Sequence, residues 1–140
     1  MNHHSQARML FKKGHHQRSI HHFQCHLSDH PDDPVGHLDM AAPLFAMGDL
    51  SGAEQAAAEA TRLGPKNAEA WSTLATIQTA RGQTGTPLRS ILAATKLEPK
   101  NMSYRIRLGT ILLDQGHLDH AVQNFDLILK VEPRNLDAIA

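Results

Sequence analysis

The pentapeptides LGPKN at residues 63–67, LEPKN at 97–101 and VEPRN at 131–135 recur at one fixed interval. Their prolines belong to a series with the same interval: Pro31, Pro65, Pro99 and Pro133. A second series at this interval consists of glycines: Gly14, Gly48, Gly82 and Gly116. Because both residues interrupt helices, two breakers at a fixed phase divide each period into two short helices. The sequence therefore predicts a repeated helix–turn–helix unit.

Polar residues next to the prolines mark the helix starts. Asn67, Asn101 and Asn135 each follow a proline by two residues, where a side-chain oxygen can cap the next helix. Asp33 and Thr86 are the predicted caps before Pro34 and Pro87. Proline suits the first turn of a helix. We predict helices near residues 2–13, 17–29, 34–47, 51–63, 68–81, 86–97, 102–115 and 118–131.

This pattern resembles the tetratricopeptide repeat (TPR) family, whose helix–turn–helix unit is about 34 residues long. The segment 102–135 carries the family's small and large slots at Leu108, Gly109, Ala121 and Phe125, and Trp71 occupies the tryptophan slot of the preceding segment. Pro87 stands where the family has alanine, and Pro43 is expected to kink the third helix. The resemblance implies an all-α, right-handed superhelical solenoid of antiparallel helix pairs in a single domain. Its repeats are 1–33, 34–67, 68–101 and 102–135, followed by the start of a helix at 136–140.

Composition and motifs narrow the function classes. The 140 residues carry 14 basic and 14 acidic side chains, so charge gives no general attraction to nucleic acid or a membrane surface. One cysteine excludes an internal disulfide framework, and no apolar run suggests a membrane span or signal peptide. No nucleotide-binding glycine motif, nucleophile elbow or HExxH motif is present. We expect a cytoplasmic protein that is not an enzyme, has no cofactor and binds a protein or peptide.

The resemblance also implies a concave binding groove lined by the first helix of each repeat. The inward-facing residues would be Arg8, Phe11, Leu38, Ala42, Phe45, Ser72, Thr76, Ile106, Arg107 and Thr110. Some family members grip a carboxylate with a Lys, Asn, Asn, Lys and Arg clamp. The corresponding positions here, with 34–135 as the clamp repeats, are Leu38, Ala42, Thr73, Ser103 and Arg107. Only Arg107 matches, which disfavours a carboxylate clamp.

Histidine is concentrated near the N-terminus, where nine of the 11 histidines fall within the first 37 residues. His22, His26 and His30 are spaced to share one face of a helix, and pairs four residues apart can bind Zn²⁺, Ni²⁺ or Cu²⁺. One hypothesis is a surface metal site on His22 and His26, completed by His30 or Cys25. The alternative, which we favour, is a solvated terminal repeat in which His26 packs against the first helix.

The apolar face of the last predicted helix pair needs to be covered, which leads to two alternative expectations. Either the chain is the N-terminal TPR region of a larger protein, such as a bacterial sulfotransferase or glycosyltransferase, or this face pairs with a second copy. The leading expectation remains an interaction scaffold with a peptide in its groove.

Overall fold

The computed structural model describes residues 2–131 and contains eight helices in this part of the chain. The helices are α1 His3–Lys12, α2 His16–Asp29, α3 Pro34–Ala46, α4 Leu50–Leu63, α5 Ala68–Ala80, α6 Gly85–Leu97, α7 Met102–Asp114 and α8 Leu118–Val131. These bounds lie within one residue of those predicted from the breakers. The start of a helix expected at 136–140 lies outside the described residues.

The turn inside each helix pair has the same geometry. Gly14, Gly48, Gly82 and Gly116 have φ angles of +84°, +82°, +76° and +80°. This left-handed conformation strongly favours glycine because a side chain would clash with the backbone. The next residue closes the turn, as where the His15 N–H donates to the Leu10 carbonyl over 2.9 Å. One turn type, repeated four times, gives every pair the same antiparallel arrangement.

The predicted caps after the prolines are confirmed within the described residues. Oxygens of Asp33, Asn67 and Asn101 accept hydrogen bonds from backbone N–H groups in the first turns of α3, α5 and α7. Asn135 lies outside the described residues. These side chains satisfy donors that have no partner within the helix.

The Thr86 cap is wrong. α6 begins at Gly85, one residue earlier, and Thr84 occupies the cap position without a side-chain hydrogen bond. The Thr86 hydroxyl donates instead to Gln83 Oε1. Pro87 lies in the first turn as predicted, where its missing N–H costs nothing.

Buried residues, most of them small, recur at two equivalent positions of every helix pair. In the first helices these are Ala7, Ala41, Ala75 and Gly109, and in the second helices Ser19, Ala53, Pro87 and Ala121. All eight are buried. α3 runs through Pro43, whose ring is also fully buried, without ending there. The same buried pair of positions therefore recurs once in every helix pair.

The helices pack in sequence order, each against its neighbours along the chain. Among the first helices of the pairs, α1 also contacts α3 and α3 contacts α5. The odd-numbered helices consequently form one layer and the even-numbered helices another. This all-α arrangement of stacked pairs is the predicted fold class.

Candidate functional site: the channel on the odd-numbered helices

Two adjoining depressions form a channel along the layer of odd-numbered helices. The first, of about 280 Å³, is lined mainly by α1, α3 and α5; its residues are Arg8, Phe11, Lys12, Phe23, Leu38, Asp39, Ala42, Glu69 and Thr73. The second, of about 350 Å³, extends to α7; its residues are Phe11, Ala41, Ala42, Phe45, Ala46, Thr73, Thr76, Ile77 and Arg107. Phe11, Ala42 and Thr73 line both. The channel therefore crosses all four helix pairs.

The structure brings seven of the ten predicted groove residues to this channel. They are Arg8, Phe11, Leu38, Ala42, Phe45, Thr76 and Arg107. Leu38 is only 8% exposed and forms part of the floor, whereas Phe45 is 38% exposed and offers a free ring. The centre of the channel is thus apolar.

Three predicted groove residues line neither depression. Ser72 is 5% exposed, and its hydroxyl accepts a hydrogen bond from Arg107 Nη1 over 3.0 Å. Ile106 is half-buried, and its carbonyl accepts the hydroxyl hydrogen of the exposed Thr110 over 2.9 Å. Ser72 therefore contacts a lining residue, Arg107, without lining the channel itself.

The ten predicted inward-facing residues omitted Asp39 and Thr73, although Thr73 was considered as a clamp position. Thr73 lies one repeat before Arg107, which was named, and Asp39 lies two repeats before it. Applying the period to Arg107 would have found them, because equivalent positions of stacked repeats face the same side. This row of three changes from a carboxylate through a hydroxyl to a guanidinium along the channel.

Charges are concentrated near the first depression. His4 Nε2 lies 2.8 Å from Asp39 Oδ2, and Arg8 Nε lies 3.8 Å from the same oxygen. Lys12 and Glu69 add one charge of each sign to the lining. At the other end Arg107 donates to the hydroxyls of Ser72 and Thr76. These bonds hold the Arg107 side chain against α5.

The histidines His22, His26 and His30 do not come together as metal ligands. His26 Nε2 lies 2.7 Å from Asp33 Oδ2, and His22 Nδ1 lies 2.9 Å from Nδ1 of His3. Within residues 2–131 no three or more His, Cys, Asp or Glu side chains form a group that could hold a metal ion. His26 instead packs against the first helix, with its ring centroid 5.0 Å from that of His4.

Two groups in this region have shifted pKa values. Partial burial lowers the pKa of His22, as do the nearby His3, His21 and Arg18. For Asp33, burial opposes the shift, but hydrogen bonds from His26 and from the Gly36 and Val35 N–H groups lower the pKa below its ordinary value. Both shifts arise from contacts between α1, α2 and the start of α3.

A separate apolar depression of about 390 Å³ lies between α6, α7 and α8. Five leucines dominate its lining: Leu88, Leu92, Leu108, Leu112 and Leu127. It shares no lining residue with the channel.

No helix in residues 2–131 has the length and hydropathy needed to cross a membrane.

Comparison with solved structures places this architecture among known folds. MamA from Desulfovibrio magneticus RS-1 superimposes with a TM-score of 0.86 at 18% identity, covering 95% of this chain and 75% of its own. YrrB, a TPR protein with an unusual peptide-binding site, gives 0.86 at 19% identity over 97% of this chain and 70% of its own. The chain has the tetratricopeptide repeat fold.

Another similar TPR structure carries a ligand. The first TPR domain of Spaghetti (RPAP3), bound to an HSP90 peptide, matches with a TM-score of 0.76 at 20% identity, covering 80% of this chain and 89% of its own. No protein-family model and no curated protein sequence matches the chain. The TPR assignment therefore describes the fold.

Proposed function

We propose that this chain is a protein-interaction scaffold whose channel binds an extended or helical segment of a partner protein. The observation that carries the proposal is the continuity of the two depressions through Phe11, Ala42 and Thr73. A bound peptide would place apolar side chains against the centre of the channel and polar groups against its ends. The channel offers both, with the exposed Phe45 in the second depression and charged groups in each depression.

The rigidity of the channel supports tight binding of a short segment. Its walls are helices held by caps, identical turns and close Ala/Gly contacts. A preformed wall does not lose further backbone freedom when the ligand binds, so less interaction energy offsets ordering. Peptide binding by YrrB and by the first TPR domain of RPAP3 gives precedents on the same fold.

Blocking the channel tests the proposal. Peptides are selected from a random library on the wild-type chain, and their dissociation constants are then measured by fluorescence anisotropy. Ala42 is exposed and lines both depressions, so Ala42→Arg should obstruct the channel without entering the core. We expect affinity to fall by about tenfold or more, which corresponds to a loss of about 1.4 kcal/mol.

The matched control is Ala58→Arg, the same substitution at an exposed alanine of α4. It adds equal charge and bulk on the layer of even-numbered helices, so affinity should stay at the wild-type value. Equal affinities of wild type and Ala42→Arg would contradict the proposal. So would a loss of affinity in both variants, which would indicate a general charge effect.

A further inference from the structure

Two histidines on neighbouring helices direct ring nitrogens at each other. His3, in the first turn of α1, and His22, in the middle of α2, have Nδ1 atoms 2.9 Å apart. The ring centroids are 5.1 Å apart and the planes are inclined by 35°. One Nδ1 must carry a hydrogen and the other a lone pair for this contact to be a hydrogen bond. A metal ion bound by both Nδ1 atoms would displace that hydrogen and would lie to one side of the line between the two nitrogens.

The separation of the two nitrogens suits a particular coordination angle. Metal–imidazole bonds are about 2.0–2.1 Å long, so nitrogens at this separation would subtend an angle of about 90° at a shared ion. The ion would lie off the line that joins the nitrogens, so both exposed rings would have to turn until their Nδ1 lone pairs converge on it. That angle belongs to the square-planar or tetragonal sites that Cu²⁺ and Ni²⁺ prefer. A tetrahedral zinc site would need the nitrogens about 3.3 Å apart, and therefore a small separation of the helices.

We propose that His3 and His22 bind one divalent transition-metal ion through their Nδ1 atoms, with water in the remaining positions. Both rings would then take the neutral tautomer with the hydrogen on Nε2, so binding needs no net loss of a proton from two neutral histidines. The site uses a pair across two helices, in place of the pair within α2 that the sequence suggested. Affinity should be highest for Cu²⁺, which binds nitrogen ligands more tightly than Ni²⁺ or Zn²⁺ does.

Neighbouring histidines are engaged elsewhere. His4 pairs with Asp39 and His26 with Asp33, so binding at His3 and His22 leaves both contacts intact. A competing pair lies close by, because His21 Nε2 is 3.7 Å from Cys25 Sγ. The test must therefore separate the two pairs.

The ion would tie α1 to α2. Both ligands are adjacent only when the first helix pair is folded, so the ion should bind the folded state more tightly and raise the melting temperature. This effect makes thermal unfolding a second measurement that does not depend on direct detection of the metal.

Titration calorimetry with Ni²⁺ and with Zn²⁺ tests the proposal on the wild-type chain and single variants. We expect one ion per chain, and a loss of affinity of about tenfold or more in His3→Ala and in His22→Ala, since each removes a ligand. His15→Ala is the matched control, because His15 is an exposed histidine beside α2 without a side-chain cap hydrogen bond. Its affinity should equal that of wild type. Circular dichroism establishes that each variant is folded.

Electron paramagnetic resonance of the Cu²⁺ complex adds the ligand count. The Cys25→Ser variant is used here, because it removes the thiol that Cu²⁺ would oxidise. Coupling to two imidazole nitrogens is the expected result. Coupling to one nitrogen, or to backbone amide nitrogens before His3, would overturn the proposal.

Three further outcomes would overturn it. Ion binding weaker than millimolar would remove the site, and binding unchanged in His22→Ala would place the ion on His3 and the preceding backbone. Binding that is weakened by His21→Ala or Cys25→Ser, but not by His3→Ala, would assign the ion to the neighbouring pair.

Discussion

Three residues at one position of the repeat make the same hydrogen bond with different chemistry. The nitrogens His37 Nε2, Trp71 Nε1 and Arg105 Nε lie 2.9, 2.9 and 2.6 Å from the carbonyl of the proline six residues earlier. Any side chain with an N–H at this reach satisfies a carbonyl beyond the end of the preceding helix. Trp71, in the family's tryptophan slot, is half-buried and packs against buried residues that include Leu74 and Ala75. The sequence pattern did not predict this hydrogen bond, because the equivalent positions of the three repeats hold three different residue types.

A size match between α7 and α8 can be tested at the same scale. A Cβ atom added at Gly109 would lie 2.5 Å from Phe125 Cζ and 2.9 Å from Asn124 Nδ2. We expect Gly109→Ala to lower the free energy of unfolding by about 1 kcal/mol, because overpacking exceeds the gain in helix propensity. Urea denaturation measures the change.

The control for this prediction is a double-mutant cycle with Phe125→Leu. The shorter side chain withdraws the atoms that the new methyl group would meet, so Gly109→Ala should cost less in that background. An identical cost in both backgrounds would show that the ring is not the source of the strain.

The contact between His26 and Asp33 makes stability depend on pH. The folded pKa of Asp33 lies below its ordinary value of 3.8, so its carboxylate stabilises the fold above the unfolded pKa. This contribution is lost as the pH falls through the lowered folded pKa. We expect the difference in urea midpoint between wild type and Asp33→Asn to shrink as the pH falls from 5 to about 3.

Asp32→Asn provides the reference for this titration. Asp32 is the exposed neighbour of Asp33, so its replacement removes equal charge away from His26. The Asp33 interpretation fails if the two variants follow the same pH dependence.

At the scale of helices and turns, the prolines and glycines predicted the helix bounds to within one residue. Steric exclusion at glycine and the missing N–H of proline act locally, so they can be recognised without knowledge of the packing. The one wrong cap, Thr86, failed for a tertiary reason. Gln83 accepts a hydrogen bond from the Thr86 hydroxyl and donates one to Glu54 of α4 over 2.8 Å. Contacts with another repeat therefore shape this turn.

This same turn provides a matched pair of glycines. Gly82 has a φ of +76°, whereas Gly85 starts α6, and an added Cβ would meet nothing within 4 Å at either residue. Any difference between their alanine variants therefore reports backbone conformation. Gly82→Ala should lower the free energy of unfolding by about 1–2 kcal/mol, while Gly85→Ala should be neutral or raise it by up to about 1 kcal/mol.

Thermal and urea unfolding of the two variants measure this difference. Equal stabilities would contradict the account, since they would mean that the left-handed turn imposes no requirement for glycine.

At the scale of the whole molecule, the period predicted the fold but only part of the channel. The stacking of like positions places Arg8, Phe11, Ala42, Phe45, Thr76 and Arg107 on one surface. Ser72 is buried and lines neither depression, and it contacts the channel through the side chain of Arg107 in the next repeat. Such contacts between repeats depend on rotamers, which a periodic pattern does not specify. The channel therefore follows from the stacking, and its details follow from individual side chains.

Backbone amide NMR with a peptide selected on the wild-type chain tests the central claim most directly. Chemical shifts of every assigned amide are followed during titration of the peptide. We expect the largest changes in α1, α3, α5 and α7, around Phe11, Ala42 and Thr73. Changes centred on the leucines between α6 and α8, with the channel unaffected, would contradict it.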